Sequence, residues 1–263
     1  MKFAIVEGQR REAEPKLVGG CPGCGAPMLA KCGDIKVWHW AHRGKRKCDP
    51  WWENETEWHR SWKNAFPEDW QEIVHRADDG EKHIADVKTT QGRVIEFQNS
   101  PISKEERQSR EAFYRPMCWV VNGLRRKRDK KQYFEALSHA RTVNGNPFSF
   151  AVPANEGALL RDWADSQVPV FLDFGDTGDV DQVFQYGTQF LWGLSPKAPP
   201  SQAVLTPFYR ACVIEALIKG EPFKGINFSK VFERAGIAKK VIQTRRAPVR
   251  THSPRLNRRA RRL

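Results

Sequence analysis

His83-Ile-Ala-Asp-Val-Lys88, then Thr89-Thr-Gln-Gly-Arg93, then Val94-Ile-Glu-Phe-Gln-Asn-Ser100 is the stretch that decides the fold. β-Branched and aromatic residues alternate with polar ones on both sides of Gly92, which predicts two strands joined by a turn at Gln91-Gly92. Successive side chains of a strand point to opposite faces, so Asp86 shares a face with Ile84 and Lys88, and Glu96 with Val94 and Gln98. With those faces matched, Asp86, Glu96 and Gln98 converge. Two carboxylates beside an amide suit a hard cation such as Mg2+. A strand with one wet face shows the same alternation, so the flanking segments must separate the two readings.

Upstream, residues 51–66 read as a helix. Trp58, Trp62 and Phe66 recur every four residues as an apolar stripe, beside a polar stripe of Glu55, His59 and Lys63, and Pro67 stops it. Residues 71–76 read as a further strand, turned into the opening stretch by Asp78-Asp79-Gly80. Downstream, Pro101, Ser103 and Glu106 predict a capped helix to about Tyr114, with Arg107, Arg110 and Tyr114 on one face. Residues 117–121 are an apolar run suited to a buried strand. The order is helix, three antiparallel strands, helix, strand. A basic cluster at 125–131 then opens a helix to about His139.

Near the start, residues 2–6 suggest a short strand, and Cys21-Pro-Gly-Cys24-Gly25 is a tight knuckle able to aim two thiolates at one point. A tetrahedral Zn2+ site needs a second pair of ligands. His42 and Cys48 are the preferred pair, giving Cys-x2-Cys, seventeen residues, His, five residues and Cys. His39 is the nearest substitute and Cys32 stands behind it. Residues 37–41 alternate as a strand does, which sets His39 opposite the tryptophans. Four protein ligands leave no open position, so the expected role is structural.

The chain has 263 residues, enough to bury a core without disulfides, and a net charge of +13. Residues 224–263 carry thirteen Lys or Arg against one acidic residue, Glu233, so the excess belongs to the tail and the body is almost neutral. Charge enters the N-terminal residues too early for a secretory signal, and no stretch is apolar enough to span a bilayer. The expectation is a soluble cytoplasmic protein without a membrane partner, whose cysteines are free or metal-bound rather than paired.

Taken together, Cys-Pro-Gly-Cys-Gly, His39-Trp-Ala-His42, Glu55 with His59 and Lys63, Ala85-Asp-Val87, Ile95-Glu-Phe-Gln-Asn-Ser100, Arg110 with Tyr114, and Cys118-Trp-Val-Val121 resemble the competence-protein CoiA-like family over about residues 19–125. The resemblance implies a zinc-finger-like segment joined to a nuclease-like domain of the PD-(D/E)XK type, an α/β (α+β) restriction-endonuclease-like mixed sheet flanked by helices. It implies that Asp86 and Glu96 hold catalytic Mg2+ or Mn2+ and that Gln98 stands where a lysine is usual. Glu55 would complete the metal shell, Lys63 or Lys88 would supply the missing charge, and His59, Arg107, Arg110 and Tyr114 would face DNA, Arg110 as a phosphate donor.

The expected organisation is a zinc-finger-like module at 1–50, a nuclease-like core at 51–143, an accessory α+β region at 144–223 and a basic tail at 224–263. In the accessory region strands are expected at 148–152, 168–174 and 189–192, and helices at 156–165 and 208–219. Asp173, Asp176, Asp179 and Asp181 fall in a Gly-rich stretch best read as a solvated turn. The tail is too polar to fold alone and suits a polyanion, DNA first and RNA second. The expected activity is Mg2+-dependent DNA hydrolysis. The alternatives are a nucleic-acid-binding adaptor that keeps the fold without hydrolysis and a zinc-stabilised protein-interaction module.

Overall fold

The structure is a computed structural model that describes residues 1–44, 48–77, 80–143, 146–175, 190–196, 198–199 and 201–225. The basic tail from 226 onward, Asp78 and Asp79 of the expected turn, and Asp176, Asp179 and Asp181 lie outside the described residues.

The first sheet has the order β2-β1-β3-β4-β5 and is antiparallel throughout. Its strands are β1 (Phe3–Val6), β2 (Gln9–Glu12), β3 (Val18–Gly20), β4 (Pro27–Lys31) and β5 (His39–His42). Glu7 and Gly8, both at positive φ (50° and 79°), make the two-residue turn that closes the β1–β2 hairpin. Gln9-Arg-Arg-Glu12 is a charged edge strand, so it carries no apolar alternation to read. Ala4, Val6, Met28 and Trp40 form the core of this sheet. Strand β5 starts at His39, later than expected, leaving Trp38 exposed while Trp40 is buried.

Helix α1 (Glu57–Lys63) is shorter than the residue spacing suggests. The Thr56 side chain accepts the His59 N–H at 3.3 Å and caps the helix, so Glu55 precedes it. Trp62 and Phe66 are buried and Trp58 packs against them, as the apolar stripe predicts.

The second sheet has nine strands in the order β10-β11-β14-β13-β12-β9-β8-β7-β6. Strands β6 (Gln71–Arg76), β7 (Lys82–Lys88) and β8 (Val94–Gln98) form an antiparallel meander. Helix α2 (Lys104–Phe113), capped by Ser103 on the Glu106 N–H, then returns the chain to β9 (Met117–Asn122), parallel to β8. The order α1, β6-β7-β8, α2, β9 is the one read from the sequence.

Beyond β9 come α3 (Asp129–Ser138), β10 (Arg141–Val143), β11 (Asn146–Pro153), α4 (Ala158–Trp163), β12 (Val170–Asp173), β13 (Phe190–Leu194), β14 (Gln202–Tyr209) and α5 (Arg210–Lys219). These strands extend the same sheet, with β12 parallel to β9. The sequence reading missed β14, where Pro207 resembles a helix start, although it pairs across to Trp192.

Trp62, Phe66, Val87, Ile95, Phe97, Val120, Phe171, Val213 and Leu217 make the main core under α1 and α5. Trp119 and Trp163 pack edge to face under α2 and α4. The first sheet is tied to the β6–β7 edge. Glu72 accepts the backbone N–H groups of Lys2 and Phe3 at 2.7 and 2.9 Å, and Lys82 Nζ donates to the Gly23 carbonyl at 2.7 Å. Among the described residues no helix is long and apolar enough to cross a membrane.

Candidate active site and metal centre

Four side chains of the first sheet gather at one point. Cys21 and Cys24 sit on the knuckle between β3 and β4, held by Cys21 N–H to the Ala26 carbonyl at 2.9 Å and Gly25 N–H to the Cys21 carbonyl at 2.8 Å. Gly25 has φ +74°, a conformation that favours glycine. His42 ends β5 and Cys48 follows it. The Cys21 and Cys48 sulfurs are 3.8 Å apart, and His42 Nε2 is 3.5 Å from both the Cys24 and the Cys48 sulfur. A tetrahedral ion with bonds of about 2.3 Å to sulfur and 2.05 Å to nitrogen requires S–S and S–N separations of roughly 3.8 and 3.5 Å. This Cys3His group therefore fits a metal such as zinc. Burial and the neighbouring Cys21 and Cys24 push the Cys48 thiol up to about 12, the strain that a bound cation relieves. His39 points elsewhere, with Nδ1 on the Val37 carbonyl at 2.8 Å, and Cys32 is not in the group.

The second constellation arises where two strands part. The β7–β8 ladder pairs Val87 with Ile95 and Lys88 with Val94, and no further. At the break the side chains replace the ladder: Asp86 Oδ2 accepts the Phe97 N–H at 3.0 Å, and Glu96 Oε1 accepts the Asp86 N–H at 3.1 Å. The gap opens into a cavity of about 60 Å3, room for a few waters or a hydrated cation. Its wall includes Asp49, Glu53, Glu55, Glu72, Asp86 and Glu96, against two permanent cations, Lys63 and Arg110.

Lys63 Nζ is bracketed by Glu72 at 2.9 Å, Glu55 at 3.1 Å and Asp86 Oδ1 at 3.3 Å. Burial alone would lower its pKa, but these three carboxylates outweigh it and hold the ammonium well above the usual lysine range. Glu72 reaches this position from a left-handed backbone (φ +48°) that non-glycine residues seldom adopt. Glu96 is buried beside Asp86, and both effects push its carboxyl up to about 8, only partly offset by Arg110 Nη1 at 3.2 Å. Burial, together with Glu96, Asp49 and Asp86, also holds Tyr114 far up in its protonated form.

Residues 20–50 match the family model of the competence protein CoiA, N-terminal domain. The likeness to CoiA-like proteins is thus shown over the segment that carries all four members of the Cys3His group. No curated protein and no solved structure matches the chain.

Outside that CoiA-like segment, the site-residue expectations divide. Asp86, Glu96, Lys63, Glu55, His59, Arg110 and Tyr114 all line the cavity. Gln98 does not: its Nε2 donates to Glu53 and, at 3.1 Å, to the Ser100 carbonyl, so the three-residue convergence read from the strand faces reduces to a pair. Glu55 is engaged by Lys63 and by Arg60 Nε at 3.2 Å rather than free to complete a metal shell. Arg107 is buried on another flank, bound to Glu111 at 2.8 Å and to Asp165, and so cannot face a ligand with Arg110. Arg110 and His59 are themselves buried; His59 Nε2 is 2.8 Å from the Phe97 carbonyl and 3.1 Å from Glu53.

Three carboxylates escaped the sequence reading. Asp49, directly after Cys48, accepts from Ile84 N–H, Trp51 N–H and His83 Nδ1, each at 3.0 Å, and so ties the metal segment to β7. Glu72 hid within a strand pattern. Glu53 gathers Asn99 N–H at 3.1 Å, Ser100 N–H at 3.0 Å, the Ser100 hydroxyl and His59. Burial alone would raise its pKa, but His59 and Ser100 outweigh it and hold the carboxyl down at about 2. A carboxyl depressed on folding contributes stability that is present above its ordinary pKa of 4.5 and is lost as pH falls from there through 2. Glu53→Gln is therefore expected to cost about 3 kcal/mol in urea unfolding at pH 7, and progressively less between pH 4.5 and 2. An equal loss at pH 7 and pH 2.5 would refute this.

Proposed function

We propose that the chain is a Mg2+- or Mn2+-dependent phosphodiesterase acting on DNA, with a restriction-endonuclease-like core and a structural zinc centre. The observation that carries this reading is the parted β7–β8 ladder. It sets Asp86 and Glu96 side by side at a cavity with too few cations, and Glu96 ionises only near pH 8 in the metal-free chain. A carboxylate pair in that condition is short of one cation, and its hard oxygens suit Mg2+ or Mn2+. The α-βββ-α-β order and the CoiA-type N-terminal segment support the same reading, and that segment suggests a competence-related role.

Asp86 and Glu96 would hold the ion. When bound, it would offset phosphate charge and lower the pKa of an attacking water. Lys63 keeps its proton, so it acts as a fixed positive charge beside Asp86, where a phosphodiester gains negative charge, and not as a general base. It supplies the charge that Gln98 cannot. Arg110 positions Glu96, and Tyr114 can only donate a hydrogen bond. Gln98 orders Glu53 and the end of β8. The basic tail would add salt-sensitive contacts to phosphates.

The test is incubation of the full chain with labelled single-stranded, duplex and branched DNA in Mg2+, Mn2+ or EDTA. Cleavage in a divalent cation and none in EDTA is expected. Binding without cleavage under every metal condition would favour the adaptor reading, which draws on the neutral Gln98 and on a carboxylate pair without a third acidic partner.

For the zinc centre, metal analysis of the purified chain should give one equivalent of zinc. Cys21→Ser should lose it and lower the melting temperature. Unchanged metal content in that variant would remove the assignment.

A further inference from the structure

Among the described residues the exposed large apolar side chains are Val18, Ile35, Trp38, Trp52 and Leu124. Three of these border the carboxylate cavity. Trp52 lines it and is 40 % exposed. Trp38, 47 % exposed, offers its carbonyl to Arg60 Nη2 at 2.8 Å, and Arg60 Nε holds Glu55 of the cavity wall. Leu124 opens the loop after β9. That loop is tied to the wall by Arg125 Nη1 on the Ser100 carbonyl at 3.2 Å and by the Ser100 N–H on Glu53.

Single exposed apolar residues need no explanation. Two indoles flanking one polar cavity are a different matter, because the groups between them are charged and no apolar patch is being completed. The loop that carries Leu124 adds cations. Arg125 and Arg126 are bound by Asp129 and Asp162, whereas Lys127, Arg128 and Lys131 are exposed and form no ion pair among the described residues. Flat aromatic faces on one side and unpaired cations on the other match a ligand that alternates planar rings with anionic links. The cavity is too small to admit a base, so a base must stack outside it.

We infer that the cavity rim binds an unpaired nucleic-acid strand, with Trp52 stacking one base, Trp38 a second, and Lys127, Arg128 and Lys131 meeting backbone phosphates. Bases paired within a duplex offer no free face for Trp52, so the preference is for single strands. The fate of the strand at Asp86 and Glu96 rests on the phosphodiesterase reading; its binding does not.

The experiment is fluorescence anisotropy of the full chain with labelled oligothymidylate and with duplex of equal length, in EDTA so that nothing is cut. The single strand should bind more tightly. Trp52→Ala should weaken it about ten-fold, the effect of one stacked base, and Trp52→Phe should restore most of the affinity. Lys127→Glu with Arg128→Glu should weaken binding and flatten its salt dependence by about two phosphate contacts. Unchanged oligothymidylate affinity in Trp52→Ala, or equal affinity for duplex, would overturn the inference. Trp52-dependent binding in a chain that cuts nothing in Mg2+ or Mn2+ would uphold it and sink the phosphodiesterase reading. Cleavage that depends on Asp86, with Trp52→Ala binding like wild type, would sink the inference alone.

Discussion

Lys63→Met is expected to destabilise the chain by about 3–5 kcal/mol, the usual result of removing one partner from a buried ion pair. The ammonium is buried among Glu55, Glu72 and Asp86, and methionine replaces its volume without its charge. The carboxylates left behind must then either ionise unpaired or take up protons. In this variant their folded-state pKa values rise above the unfolded ones, so the loss is smallest at acid pH and grows as pH rises through those values. Urea unfolding at pH 5 and pH 8 checks it. A loss below about 1 kcal/mol that does not change with pH would show that Lys63 is not the charge holding these side chains together.

Asp86→Asn is expected to keep the fold and to lower divalent-cation-dependent DNA cleavage on the order of 10³-fold, the several kcal/mol of charge stabilisation that a metal supplies. Asparagine retains an oxygen for the Phe97 N–H, so the parted strands need not move. Glu96→Gln removes the other ionisable oxygen and should act alike. Because the two residues would hold one ion, the double variant should be little worse than either single one. Cleavage within ten-fold of wild type in both single variants would separate the activity from this pair.

Much of the scaffold was legible in local chemistry. The alternation around Gly92, the Ser103–Glu106 cap and the apolar run into β9 each report a local rule, and each element is found. The knuckle was legible because Cys-x2-Cys with glycines has few other uses, and His42 and Cys48 join it. What escaped depends on tertiary context. Spacing at four residues carries Glu55 into the helix, but Thr56 caps first, and only the fold brings Glu55 back to Lys63. Gln98 lies on the strand face it was assigned, yet Glu53, far away in sequence, turns its amide aside. Arg107 and Arg110 share a helix spacing, but Asp165 draws one away while Glu96 draws the other in. Strand β2 is all polar and charged, so nothing in its pattern marks it.

The strand partition explains why the site is where it is. Two backbone N–H groups lose their ladder partners, and two carboxylates are held in place by accepting from them. The first sheet then closes the cavity through Asp49 and Glu72, which join it to β7 and to β1. A zinc centre next to Asp49 would therefore stabilise one wall of the carboxylate site as well as its own sheet.

The most direct measurement is a crystal of the zinc-loaded chain grown or soaked with Mn2+ and measured for anomalous scattering at the manganese edge. A single strong peak shared by the Asp86 and Glu96 carboxylates, absent from Asp86→Asn crystals, is predicted. Density in that cavity that holds water alone, with manganese bound elsewhere or nowhere, would contradict the central claim.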